Sequence, residues 1–317
     1  MLVLDQIHLS TTGQTCVALS DLGGSHGLSG GQARMYERFF GLSSVACHRD
    51  DLGAMLAPVL RAAFAGVPVD RRASGQLFYC KTQTHNTLSD GDWLRRLADA
   101  EGLAGWDVSA VTMTSCASAL ALMHFAQLAD TETPLIVLTG EKAFHPSISR
   151  LPVGLLAEVP AAALFNAGAA GSWRVRGTTV RHLPRFYKNA DAMSAEERAA
   201  LQACYADQLG GFVADSLEQY GPALHEDFVF LPHNLNLPVT QVLLRRFEWH
   251  SRCFQGDIGT LGHAFCADIF VNLRAFEASD DPRDRAARQI LVLAAGTGVT
   301  FATCLLERTP NPPSKEK

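Results

Sequence analysis

Residues 290–306 carry no charged side chain, and Gly296-Thr-Gly298 interrupts them near the middle. The run is slightly short for a membrane span, and its glycines break the helix a span would need. Two buried strands joined by a tight turn are predicted instead. Strands that are apolar along their whole length need a sheet covered by helices on both faces. Leu135-Ile-Val-Leu-Thr139 is a second run of the same type.

The other segments fit this frame. Residues 51–65 place Leu52, Met55, Leu56, Val59, Leu60 and Ala63 on one helical face. Strands are predicted at 74–79, at 108–115 and at 228–231, and helices at 93–100 and 238–249. Residues 161–175 are two apolar runs around the Gly/Ala turn Asn166-Ala-Gly-Ala-Ala-Gly171, which suggests a hairpin. Residues 23–31, rich in Gly and Ser, read as a surface loop. A long amphipathic helix over 194–220 opens with a Ser194-x-x-Glu197 capping box. Strands alternate with helices in both halves, so the class is α/β with sheets buried by helices.

Of 317 residues, 47% are hydrophobic and 19% charged, enough for a large core with no signature of disorder. A net charge of -5 without any Lys/Arg cluster excludes a nucleic-acid surface. Met1-Leu-Val-Leu-Asp5 lacks the basic start and apolar segment of a secretory signal, so a cytoplasmic protein without membrane attachment is expected. Its eight cysteines include no Cys-x-x-Cys pair and are predicted to be reduced, mostly buried thiols.

Among them Cys116 stands out. It follows the β-branched stretch 108–115 and opens the helix-prone run Cys116-Ala-Ser-Ala-Leu-Ala-Leu-Met-His-Phe-Ala126. A thiol at a helix start meets unpaired N–H groups and the positive end of the macrodipole, both of which favour a thiolate. The same N–H groups can hold an oxyanion when that thiolate attacks a thioester. His233 and Asn234 follow a predicted strand, with Asn236 two residues on, and Gly262-His-Ala-Phe-Cys-Ala-Asp268 reads as a turn entering a helix. His225, His233, His250 and His263 are too dispersed for a recognisable ligand set, so no metal is predicted. No Gly-x-Gly-x-x-Gly opens a helix after the first strand, so no dinucleotide site is predicted either.

Taken in chain order, Cys116, Leu164-Phe-Asn-Ala-Gly-Ala-Ala-Gly171, His233-Asn-Leu-Asn236, Gly262-His-Ala-Phe-Cys-Ala-Asp268 and the closing Gly296-Thr-Gly-Val-Thr-Phe301 resemble the β-ketoacyl-acyl-carrier-protein synthase III-like family of the thiolase superfamily. That family carries His-Gln-Ala-Asn where this chain has His233-Asn-Leu-Asn236, Leu-Phe-Gly-Asp-Gly-Ala-Gly at Leu164–Gly171, and Gly-Asn-Thr-Ser-Ala-Ala-Ser where this chain has Gly262-His-Ala-Phe-Cys-Ala-Asp268. The resemblance implies a thiolase-like α/β fold of two similar halves, 1–176 with the nucleophilic Cys and 177–317 with the catalytic His, their mixed sheets covered and separated by helices in layers. It implies a homodimer and no cofactor beyond an acyl-CoA or acyl-carrier-protein thioester. No counterpart is found of the aromatic and basic residues that grip coenzyme A in typical members, which leaves the donor open.

By the same resemblance Cys116 forms an acyl-enzyme, and its N–H with the Thr297/Gly298 turn forms the oxyanion hole. An ungapped overlay puts His263 where the family has its catalytic Asn, and places Asp268 where it could orient His233 as in a Cys-His-Asp triad. Asp257 is a weaker candidate for that acid. Asn234 and Asn236 are expected to support the site from behind. Two chemistries follow. The acyl group passes to a hydroxyl or amine acceptor with His233 as general base, or to a malonyl-derived carbanion whose enolate the histidines stabilise. The missing Asn favours the first, an acyltransferase of specialised metabolism. The others are a decarboxylative β-ketoacyl synthase starting a fatty acid or polyketide chain, and a catalytically silent partner subunit of a larger synthase.

Overall fold

The computed structural model describes residues 1–25, 27–82, 90–112, 114–129, 132–143, 150–151, 154–168, 172–188, 192–234, 237–296 and 300–309. The uncharged run at 290–306 forms strands β12 (Gln289–Ala295) and β13 (Thr300–Arg308), paired antiparallel with Ala295 opposite Phe301. Every residue of β12 is buried. Its side chains alternate between two cores. Ile290, Val292 and Ala294 face the centre of the molecule, while Leu291, Leu293 and Ala295 join an outer cluster with Phe212, Leu243 and Trp249. Two-sided burial by alternation is what the sequence pattern demanded.

The same arrangement recurs in the first half. β6 (Leu135–Thr139) sends Leu135 and Val137 to the central core and Ile136 and Leu138 to a cluster with helices α3 (Leu52–Ala65) and α4 (Trp93–Ala100). The six apolar residues expected on one face of α3 are all buried, and Asp51 caps the helix by accepting the Ala54 N–H at 2.8 Å.

The remaining strands of the main sheet are β1 (Val3–Leu9), β4 (Gln76–Cys80), β5 (Asp107–Val111), β9 (Ala161–Phe165), β10 (Trp173–His182) and β11 (Val229–Pro232). Their order is β11-β12-β13-β10-β1-β9-β6-β4-β5. Outward from the centre, β1-β9-β6-β4 and β10-β13-β12-β11 run through the same sequence of pairings, two antiparallel and then one parallel. The second series starts at Trp173, so β10 crosses the 176/177 division read from the sequence.

One expectation fails here. Residues 161–175 do not form a hairpin, because β1 lies between β9 and β10 and Leu4 is paired with both Phe165 and Trp173. A distant strand outcompetes the local turn, joining the two half-sheets at Leu4, which is itself buried.

Between the half-sheets run two helices, α5 (Ser118–Ala129) and α9 (Asp268–Glu277). α5 packs on β4 and β5 of one half-sheet and on β10 and β13 of the other, and α9 contacts β1, β9, β11 and β12. Residues 118–123 are all buried, as are 268–273, the all-round burial of helices enclosed by protein. The result is a layered α/β molecule: α3 and α4, a half-sheet, α5 and α9, a half-sheet, then α6 (Ala195–Tyr220) and α7 (Leu237–Arg246). α6 opens with the Ser194–Glu197 capping box. The glycine-rich segment 23–31 is less open than its composition suggested: Ser29 and Gln32 form a capping box that starts α2 (Gly30–Phe40) at two glycines. Cys80, Cys116, Cys266 and Cys304 are buried, and all eight cysteines are unbonded.

Candidate functional site

The two central helices begin alike. A residue with positive φ, Ser115 (51°) or Phe265 (54°), opens a short 3-10 turn, followed by a buried cysteine, an alanine and a fully buried polar residue. The two turns, Ser115-Cys116-Ala117 and Phe265-Cys266-Ala267, pack against each other at the middle of the molecule. Left-handed backbone costs a non-glycine residue about 1 kcal/mol or more, and it re-aims the chain so that the next side chain leaves the helix axis. Gly296, at the end of β12, stands against this turn. A Cβ there would lie 2.7 Å from the Thr114 oxygen and 3.0 Å from the Ser115 Cβ.

His263 comes from the segment before the second turn. Its backbone bonds to both Leu155 and Ala157, the N–H donating at 2.8 Å and the carbonyl accepting at 2.7 Å. Gly262, at φ 81°, supplies the left-handed step into this position. The ring is thereby placed with Nε2 at 3.0 Å from the Cys116 sulfur and Nδ1 at 2.5 Å from Asp268 Oδ2. Asp268 is fully buried; Oδ1 accepts the Ala264 N–H and Oδ2 the Asn234 N–H, both at 2.7 Å. These bonds hold the carboxylate in position behind the imidazole.

Sulfur, imidazole and carboxylate thus form one continuous hydrogen-bonded chain. Burial alone would push the His263 ring down. The Asp268 carboxylate and the Cys116 sulfur, bonded to opposite ring nitrogens, together carry it well above the usual imidazole range. The ring is then a cation at neutral pH, the counter-ion a thiolate needs.

His233 completes the cluster. It follows β11, where its N–H donates to Leu293 O at 3.0 Å. Its ring meets that of His263 edge to face, with centroids 5.6 Å apart. Burial, with repulsion from charged His263 and only partial relief from Asp268, pushes His233 down to about 3. His233 is therefore neutral beside a cationic neighbour. Its Nδ1 is buried and finds no partner among the described residues. The expectation that Asp268 orients His233 does not hold: the carboxylate binds His263, and reaches the His233 segment only through the Asn234 backbone. The reason is local. The left-handed step at Phe265 folds Asp268 back over His263, five residues earlier.

Asn234 supports the site from behind, its Oδ1 accepting from Asn272 Nδ2 at 2.9 Å; Asn272 also donates to Pro232 O. Asp257 is exposed and caps a short helix by accepting the Thr260 N–H, away from the cluster. Asn236, Thr297 and Gly298 lie outside the described residues. One neighbour of the sulfur is not marked by the sequence. Thr82 donates its hydroxyl to Cys116 Sγ at 3.5 Å and lies 3.6 Å from Cys266 Sγ. Its own N–H is held by Glu141 Oε1 at 2.6 Å. Only its place just beyond the end of β4, which pairs with β5 ahead of Cys116, could have marked it. Ligand atoms of His233, His263 and Asp268 come within 4.8 Å of one another. Both Asp268 oxygens and both His263 nitrogens already have protein partners, however, so the set reads as a proton relay before a metal site.

No family model and no curated protein sequence matches the chain. Solved structures do, over nearly its whole length. ChlB3, described as an acyltransferase, superposes with a TM-score of 0.74 at 14% identity, covering 97% of both chains. 3-Oxoacyl-(acyl carrier protein) synthase III, FabH, from Pseudomonas aeruginosa PAO1 gives 0.70 at 14% identity over 98% of both. OleA from Xanthomonas campestris gives 0.72 at 13% identity, covering 96% of this chain and 98% of that one. The fold is therefore the thiolase-like fold that these solved structures share.

Proposed function

We propose that this protein is an acyltransferase of ketosynthase III type. Cys116 takes an acyl group from an acyl-CoA or acyl-carrier-protein thioester and passes it to a small-molecule hydroxyl or amine in specialised metabolism. The observation that carries this reading is the Cys116–His263–Asp268 chain, a nucleophile, an imidazole and an orienting carboxylate in hydrogen-bond contact. A silent subunit has no use for such a chain.

In the first half-reaction the Cys116 sulfur adds to the donor carbonyl, and the helix-start N–H groups hold the oxyanion. Collapse expels the donor thiolate, which takes a proton from imidazolium His263. In the second, the acceptor O–H or N–H gives its proton to neutral His233 as it attacks the thioester carbonyl, and Cys116 leaves as thiolate. With His263 neutral after the first step, the repulsion that lowers His233 is lifted, and the proton His233 accepts returns to His263, restoring the imidazolium opposite the Cys116 thiolate. The low value of His233 makes it a weak base in the empty site; an acceptor that offers Nδ1 a hydrogen bond relieves the unpartnered burial there.

No helix among the described residues is long and apolar enough to cross a membrane, in keeping with action in the cytoplasm. Edge strand β5 is largely exposed, and Phe125 and Leu128 on nearby α5 are 57% and 71% exposed. A second copy of the chain covering this edge would account for both.

The test is a single turnover with a malonyl and a saturated acyl thioester. Acyl transfer to an alcohol or amine without loss of carbon dioxide is expected, with His233→Gln stalling at the acyl-enzyme. Carbon dioxide release coupled to carbon–carbon bond formation would replace this reading with the decarboxylative synthase. Absence of any acyl-enzyme would point to the silent subunit.

A further inference from the structure

The paired turns at the centre of the fold bring a second thiol to the first. Thr82 Oγ1 lies 3.5 Å from Cys116 Sγ and 3.6 Å from Cys266 Sγ, so one hydroxyl bridges the two sulfurs. Cys266 Sγ also donates to Ser115 O at 3.3 Å, the carbonyl immediately preceding Cys116. No step of the acyl transfer proposed above uses Cys266. From this juxtaposition we propose that Cys116 and Cys266 form a reversible disulfide when the protein meets a peroxide, taking the acyl-accepting sulfur out of use and shielding it from irreversible oxidation.

The two thiols differ in a way that fixes the order of events. Cys116 faces imidazolium His263. Cys266 is held protonated, its ionisation opposed by burial, by Glu141 and by Cys116 itself. The activated sulfur of Cys116 therefore reacts first. It attacks one oxygen of hydrogen peroxide, breaking the O–O bond; hydroxide leaves and takes the proton of imidazolium His263 to become water, and Cys116 becomes a sulfenic acid. The Cys266 sulfur then attacks the Cys116 sulfur. The S–S bond forms, the S–O bond breaks, and the departing hydroxyl takes the Cys266 proton to leave as a second water. Two thiols have lost two hydrogens, and the peroxide has been reduced to two waters. A cellular dithiol reverses the step by exchange. Both cysteines lie in short 3-10 turns that pack against each other, and both sulfurs face the one Thr82 hydroxyl.

The inference rests on Cys116 being the reactive thiol and not on the acyl group it carries. Its test reads thiols, not acyl transfer. The full chain is treated with equimolar hydrogen peroxide, quenched with excess iodoacetamide, and mapped by mass spectrometry without reductant. A peptide cross-linked through 116 and 266 is expected, and dithiothreitol should restore alkylation of Cys116. In Cys266→Ala the cross-link should vanish, dimedone should trap the Cys116 sulfenic acid, and continued peroxide should give a sulfinic acid that dithiothreitol does not reverse. The inference is overturned if wild type and Cys266→Ala lose Cys116 alkylation equally and irreversibly, or if Cys116 is cross-linked to Cys80 instead. A protein that cross-links but never acylates would sink only the proposed function, and one that acylates without cross-linking only this inference.

Discussion

Replacing Asp268 by Asn removes one charge from the centre of the cluster while keeping the side chain's shape. The carboxylate of Asp268 and the ring of His263 are joined by a 2.5 Å hydrogen bond, and both side chains are fully buried. Opposite charges roughly 4 Å apart attract by about 4 kcal/mol at the effective dielectric that suits protein sites. Losing that attraction lowers the ratio of charged to neutral His263 on the order of 1,000-fold. Burial, the largest influence on this ring, then acts with less opposition, and His263 becomes neutral at physiological pH. The sulfur of Cys116 loses its counter-ion. The assay is the rate of Cys116 alkylation by iodoacetamide at about pH 7, read by intact mass. Wild type, with charged His263 against the sulfur, should react readily at pH 7. Asp268→Asn, with its His263 neutral, should be on the order of 100-fold slower at pH 7. Asn also cannot accept from both backbone N–H groups, so a stability loss of about 1–3 kcal/mol should accompany the change. If the variant folds and keeps the wild-type rate, the carboxylate does not govern the sulfur and the relay is wrongly drawn.

Three further outcomes follow from the same geometry. Gly296→Ala puts a methyl group 2.7 Å from the Thr114 oxygen, so it should cost about 1–3 kcal/mol by denaturant titration and slow Cys116 alkylation by moving its turn. His233→Gln should leave Cys116 alkylation within about threefold of wild type, because the neutral ring of His233 adds no charge near the sulfur, while stopping turnover. Asp5, raised to about 6 chiefly by burial, binds more protons folded than unfolded. Its contribution to stability is full below its unfolded value and is lost as pH rises through about 6. Asp5→Asn, which can still accept the Ala167 N–H, should therefore stabilise the protein more at pH 8 than at pH 4, by about 1–2 kcal/mol after allowance for partial solvation.

Much of this was legible before any coordinates. The uncharged run at 290–306 could only be a buried hairpin, and the α3 face could only be helical, because local periodicity decides both. Cys116 at the start of a central helix and His233 at a strand end were equally local inferences. What escaped depends on pairing across the chain. Nothing near residue 166 announces that β1, more than 150 residues earlier, will separate β9 from β10. Thr82 and Cys266 look like ordinary side chains until the two turns meet. Asp268 was found, but its partner was misjudged, because a carboxylate five residues after a histidine reaches it only through the positive φ at Phe265.

The most direct measurement is peptide-level mass spectrometry of the intact protein after brief exposure to acyl-CoA and acyl-carrier-protein thioesters. The account predicts one acyl group, carried by Cys116, absent in Cys116→Ser and turned over on addition of an acceptor. An acyl group found on another cysteine, or none from either donor class under conditions where Cys116 is readily alkylated, would contradict it.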